Sequence, residues 1–290
     1  MKEPKTLKEL TMLLKDKGVI ISNEEEALKK IKKYSYYSIV NTYKDVFKDT
    51  NGNYKKNVTF DEIFALYSFD KNIRYIFLKY TLEIEVIIKA LLSENIISKY
   101  GLDNFLVFEN FDTNMSKQSV EDILNRIKDE LSNQNGKHDA VTHYMQNYGF
   151  MPPYILTKIL TFGELSKLYG ILKQEDRQAI SKEFKMSDKL LKQILINLSM
   201  IRNICAHNDR LYSFHSKFLI SYKKIDKNYE RKANSTNIYI ILKCMEYMLD
   251  SNNSKKLKEE INNEIIKLEK NLNSIDINIV LNLMGFPKNN

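Results

Sequence analysis

Apolar residues recur at intervals of three and four along almost the whole chain, with polar residues between them. The pattern starts at Thr6-x-x-Glu9, a capping box followed by Leu7, Leu10, Leu13 and Leu14 and stopped by Gly18. Ser22-x-x-Glu25 opens a second helix that carries Ala27, Leu28 and Ile31, and Tyr34-Ser35-Tyr36-Tyr37 begins a third segment. A polar stretch over 48–57, with Asn51-Gly52 inside it, reads as a loop and a boundary. Thr59-x-x-Glu62 then caps a long helix reaching about Ser98, with the stripe Ile73, Ile76, Phe77, Tyr80, Ile84, Ile87, Ile88 and Leu91. Further helices are expected over 118–131, from near Asp139, and over 165–172 and 177–184, with a break at Met151-Pro152-Pro153-Tyr154. Ser187 caps another, and the tail carries three more, over 218–224, 237–249 and 256–272. No strand-type alternation persists and no internal repeat is evident. The expected fold is therefore all-α. A small N-terminal helical module spans 1–58, a helical core 59–250 and a C-terminal helical tail 251–290, with 1–5 and 287–290 frayed.

Composition agrees. Eight Gly and four Pro in 290 residues favour helices, and an apolar share of 43% is enough for a sizeable core. Lys and Arg outnumber Asp and Glu by 45 to 37, which suits a polyanionic partner; but 39 of the 45 cations are lysines spread along the chain, which suits solubility equally well. Cys205 and Cys244 are the only cysteines; with four scattered histidines they build neither a disulfide framework nor a four-ligand zinc site. No metal or cofactor is expected. The N-terminus opens no apolar run, and no stretch approaches the ~20 apolar residues of a membrane span. A reducing cytoplasm, without membrane contact, is the expected setting.

The stretch richest in chemistry is Arg202-Asn203-Ile204-Cys205-Ala206-His207. Arginine offers phosphate a permanently charged fork of donors, and histidine takes up a proton near neutral pH. Asparagine can orient either one. Six arginines and four histidines in 290 residues give about 0.08 chance pairs at this offset (6 × 4/290), and two occur. The second, Arg210 to His215, has Leu211 after the arginine and reads as coincidence. On the helix from Ser187 the core stripe is Leu190, Leu191, Ile194, Leu198, Ile201 and Cys205. Arg202 lies on its flank, where an arginine must be paired or line a cleft; Ser199, Asn203 and His207 form a polar line on the other side. An offset of five leaves Arg202 and His207 roughly 140° apart on a regular helix. Either the helix unwinds at His207-Asn208-Asp209, or two copies pair so that each site draws on both chains; pairing is the favoured expectation. Asp70, Arg74 and Glu85, on the edge of the long helix's stripe, are expected to be structural rather than catalytic.

The hexamer resembles the R-(N/H/D)-x-x-x-H motif of HEPN ribonucleases, and most of the chain resembles the Abi-like (AbiD/AbiF) abortive-infection family. The resemblance rests on Pro4-Lys5-Thr6, Tyr36-Tyr37, Leu66 to Arg74, Glu83-Ile84-Glu85, Pro152-Pro153, Leu160 to Leu165 and Arg202 to Leu211, in the family's order. Lys89 departs from the arginine usual after the paired glutamates, which argues against a bidentate role there. The resemblance implies a HEPN-like helical bundle, a homodimer with the motif at its interface, and a metal-independent endoribonuclease used in phage defence or as a toxin. It implies catalytic roles for Arg202 and His207 and a supporting role for Asn203. It also implies kinship with the nuclease domains of type VI CRISPR effectors and, for some members, a structured non-coding RNA partner. Cleavage by 2′-hydroxyl attack, leaving 2′,3′-cyclic phosphate and 5′-hydroxyl ends, is the leading reading. A HEPN-like protein that holds RNA without cutting it is the alternative, and DNA reading by the first two helices, as a helix-turn-helix, is a third.

Overall fold

The computed structural model describes residues 5–230 and 234–287; the ends expected to fray lie outside these, Lys5 and Pro287 excepted. One helix organises the fold. α3, Phe60–Tyr100, is 41 residues long, roughly 60 Å at 1.5 Å per residue. The Thr59–Glu62 capping box starts it, and Gly101, in positive φ, ends it. Its buried positions run from Phe60 through Leu66, Ile73, Phe77, Ile84, Ile88 and Leu92 to Ile96, so one stripe faces the core for the whole length.

Three helices make the broadest contact with α3: α6 (Pro153–Ile159), α9 (Asp188–Ala206) and α11 (Ser251–Glu269). α9 buries Leu190, Leu191, Ile194, Leu198, Ile201 and Cys205, the stripe read from the sequence. α7 (Phe162–Ile171) and α8 (Gln174–Glu183) pack on α9, and α10 (Ile238–Met248) bridges α9, α3 and α11. α4 (Lys117–Gln134) and α5 (Asp139–Tyr148) form a side layer, α4 resting on α7. No helix among the described residues is long and apolar enough to cross a membrane.

α1 (Leu7–Asp16) and α2 (Glu24–Tyr34) pack on each other, and Leu14, Ala27 and Ile31 join the same hydrophobic cluster as the core of α3. A parallel bridge ties this layer to the start of α3: the Ile20 amide donates to Val58 and the Phe60 amide to Ile20. Leu257, Ile261 and Leu268 of α11 are buried in that cluster as well.

The structure departs from the sequence reading in several places. Asn23, not Ser22, caps α2, because its side chain reaches the Glu26 amide. The segment after Tyr34 is one turn of π-helix, Tyr37–Asn41, then a 3-10 turn, Lys44–Phe47. The prolines that break the chain at 152–153 also start α6, with Pro153 in the first turn, where a missing N–H costs nothing. The helix expected over 218–224 shrinks to a 3-10 turn, Tyr222–Lys224. Two-residue strands β1 (His215–Ser216) and β2 (Thr236–Asn237) pair antiparallel, too short for any alternation to reveal. A last helix, α12 (Ile277–Met284), was not expected; it ends at Gly285 (φ +88°), where a Cβ would come within 2.0 Å of Asn237 Nδ2.

Candidate active site

The end of α9 is built as a Schellman motif. His207 is the C-cap, with its amide bonded to the Asn203 carbonyl at 2.9 Å. Asn208 takes the left-handed conformation (φ +60°), its amide reaching Cys205 O, and the Asp209 amide reaches back to Ile204 O at 3.0 Å. Of the two routes considered for the hexamer, unwinding at His207-Asn208-Asp209 therefore occurs within one chain. His207 is left exposed, with no hydrogen bond from its ring among the described residues.

The chain that follows is held from below by Asp70. This carboxylate is fully buried, and its Oδ1 accepts the Tyr212 amide at 2.6 Å and the Leu211 amide at 3.2 Å. Oδ2 accepts the Tyr43 hydroxyl at 2.6 Å and is ion-paired with Arg74 Nη1, which also donates to the Tyr43 oxygen at 3.1 Å. Burial is the strongest influence on Asp70 and pushes its carboxyl up; Arg74, Tyr43 and the two amides oppose it. Burial beside Asp70 drives the Tyr43 phenol far above its usual range, so Tyr43 stays a donor. Cys205, within the hexamer, is buried and its thiol is pushed up to about 12, which makes it a packing residue and no nucleophile. Asp70 and Arg74 form the structural ion pair expected of them. Glu85 is likewise buried and pairs with Lys89 at 2.8 Å, whose Nζ also donates to the Lys158 carbonyl.

Above this hub opens a cleft of roughly 830 Å³, with His207, Asn208, Asp209 and Arg210 on one side. α3 supplies Tyr67, Lys71, Arg74 and Tyr75, and the first layer supplies Lys33, Tyr34, Tyr37 and Tyr43. Four cations (Lys33, Lys71, Arg74, Arg210) line it, against one carboxylate, Asp209. Lys33 and Lys71 both sit over the Tyr34 ring, at 5.2 and 5.5 Å. Arg210 donates to the Thr42 carbonyl at 2.9 Å, drawing the segment after His207 against the first layer.

Neither Arg202 nor Asn203 lines this cleft. Arg202 is half-buried on the flank of the α9 stripe, and its Nε is sealed with no hydrogen-bond partner. Among the described residues it has no ion pair, and it stands outside the His207 cleft. Asn203 is exposed; it meets His207 through its backbone carbonyl, and its side chain makes no hydrogen bond among the described residues. In the second Arg–His pair, His215 lies away on β1 beside Ser235 Oγ, while Arg210 belongs to the cleft. Sequence reading missed that Arg74 and His207 share a cavity, since the residues joining them, Asp70 and Leu211, are 141 positions apart. Among the described residues no three His, Cys, Asp or Glu side chains converge as a metal site requires.

Neither a curated protein nor a solved structure matches the chain. The family model described as Abi-like protein matches residues 29–213, a span that holds the Asp70–Arg74 hub, the whole of α9 and the loop carrying His207. With well over half its length covered, the chain belongs to the Abi-like family, whose name associates it with abortive infection.

Proposed function

We propose that the chain is a HEPN-type endoribonuclease that acts, without a metal, as an abortive-infection or toxin effector. The observation that carries this reading is His207: an exposed imidazole fixed at a helix end, on the rim of a cleft lined by cations and tyrosines. The reaction is internal transesterification. His207 removes the proton from a ribose 2′-hydroxyl, the 2′-oxygen attacks the adjacent phosphorus, and the 5′-oxygen leaves and takes up a proton. The products are a 2′,3′-cyclic phosphate and a 5′-hydroxyl end. A positioned acid–base group supplies about 10²–10⁴-fold, and each fixed donor to the developing charge supplies ~2.7–4 kcal/mol.

Arg202 acts across a homodimer. Its unpaired guanidinium suits a partner chain, and Leu82 and Val86, exposed one turn apart on α3, give such a dimer an apolar face to bury. Asn203, exposed beside it, orients the histidine or a phosphate oxygen of the joint site.

Incubation with single-stranded RNA in EDTA tests the reading. Wild-type protein is expected to cut, and His207→Ala to lose at least a hundred-fold in rate while keeping its melting temperature. RNA left intact by the wild type defeats it. One observation favours a second reading, a protein that holds a structured non-coding RNA without cutting it: no arginine of the hexamer reaches the His207 cleft within a chain. Tight RNA binding with no cleavage by either protein selects that alternative, and preference for duplex DNA selects a regulator.

A further inference from the structure

The cleft holds a group that the reading above does not use. Arg74 is only 2% exposed, yet it forms part of the cleft wall. Its Nη1 serves Asp70 and Tyr43, while Nε is buried with no partner among the described residues. A buried charged donor left unsatisfied is costly, and an arginine offers its remaining N–H groups as a planar fork. Asp70 answers only part of this charge, because it also accepts the Tyr43 hydroxyl and the amides of Leu211 and Tyr212. The guanidinium therefore keeps positive charge at the wall of a cavity whose other cations are Lys33, Lys71 and Arg210.

At the mouth stand two tyrosines with no ring partner among the described residues: Tyr37 is 72% exposed and Tyr75 56%. The other aromatics of this region interlock, Tyr34 with Phe64 and Tyr67, and Tyr43 with Tyr67 and Tyr212. A single exposed tyrosine is ordinary. Two at the mouth of one cleft, over a cationic interior, form the combination that grips a single-stranded nucleic acid, with bases stacked on rings and phosphates on cations.

We propose that each chain carries its own groove for single-stranded RNA, in which Arg74 holds a backbone phosphate beside His207 while Tyr37 and Tyr75 stack on unpaired bases. This rests on the RNA reading above and deepens it: unpaired RNA is the substrate class, and it is bound by a cation outside the hexamer, on the same chain as the histidine.

The probe is a fluorescein-labelled single-stranded oligoribonucleotide with 2′-O-methyl groups throughout, which cannot react by 2′-hydroxyl attack. Binding is read by fluorescence anisotropy over a range of salt concentrations, with cleavage of the unmodified RNA measured in parallel. Tyr37→Ala and Tyr75→Ala are each expected to weaken binding about ten-fold. Lys71→Gln is expected to flatten the dependence of log K on log salt by roughly 0.7, one phosphate contact on a single strand. Arg74→Lys keeps the charge and loses the fork, so the salt slope stays and affinity falls several-fold. Should Arg74→Lys melt early, the Tyr37→Ala, Tyr75→Ala and Lys71→Gln results still decide. Wild-type affinity and slope in those three variants, with RNA cleavage intact, overturn the groove and leave the nuclease reading standing. A wild type that binds but does not cut, with binding lost in the variants, supports the groove and overturns the nuclease. A wild type that neither binds nor cuts removes both.

Discussion

Asp70 is the residue on which the candidate site turns. It is buried, charged and surrounded by four donors from three parts of the chain: Tyr43, Arg74 and the successive amides of Leu211 and Tyr212. Removing one partner of a buried ion pair strands the other, which costs about 3–5 kcal/mol, far more than an exposed pair is worth. Asp70→Asn keeps an oxygen for the Tyr212 amide but strands Arg74. Urea denaturation is expected to show a stability loss in that range, and RNA cleavage is expected to fall with it as the loop after His207 loosens. Unchanged stability means that the hub contributes nothing. Cys205 gives a second check at the same scale. With its thiol buried and pushed up to about 12, the native protein should resist iodoacetamide at neutral pH; unfolding in urea should expose both Cys205 and Cys244 to it.

Among the elements, helix starts were far more legible than joints. Thr6-x-x-Glu9 and Thr59-x-x-Glu62 form the capping boxes expected of them, and Ser187 caps α9, because a cap is satisfied by groups three residues away. Joints depend on distant partners. α6 forms where prolines announced only a break, and the stretch at 218–224 winds into no more than a 3-10 turn because Thr236 binds its start: the Thr236 hydroxyl donates to Phe218 O and accepts the Ile220 amide. The end of α9 lies between these cases. The sequence allowed unwinding at His207, and the positive φ of Asn208 with its Schellman bonds makes that unwinding definite. The left-handed conformation costs a residue with a Cβ roughly 1–2 kcal/mol, less for asparagine and nothing for glycine. Asn208→Gly is therefore expected to melt like wild type and keep activity. Asn208→Val should lose at least about 1 kcal/mol and, by shifting the C-cap, lower RNA cleavage more than the stability loss accounts for. Equal stability in the two variants, measured by thermal melting, contradicts the cap.

Across the whole molecule, the three parts expected from the sequence are bound by contacts that no local pattern encodes. Glu62 belongs to the capping box of α3, and it also holds the chain between α11 and α12 through contacts more than 200 residues away. Its Oε1 accepts the amides of Asn273 and Ser274 at 2.7 and 2.6 Å and the Ser274 hydroxyl at 2.8 Å, while Oε2 accepts the Thr59 amide and hydroxyl. Burial raises the carboxyl's pKa, but the bonds from Ser274, Asn273 and Thr59 outweigh it, and the net direction is below the ordinary 4.5. A carboxylate whose folded-state value is depressed stabilises fully above the unfolded-state value, and that contribution fades as the pH falls towards the folded-state value. Glu62→Gln removes the titration and weakens the charged bonds, at about 1–3 kcal/mol. At pH 7 the variant should therefore melt below wild type, and the gap should narrow as the pH drops under 4.5, since acid protonates the wild-type carboxyl and leaves the amide unchanged. Hydrogen exchange should place the loss in α11 and α12, the elements this carboxylate ties to the start of α3. A gap that stays constant with pH, or that widens in acid, shows that the tether does not depend on the charge of Glu62.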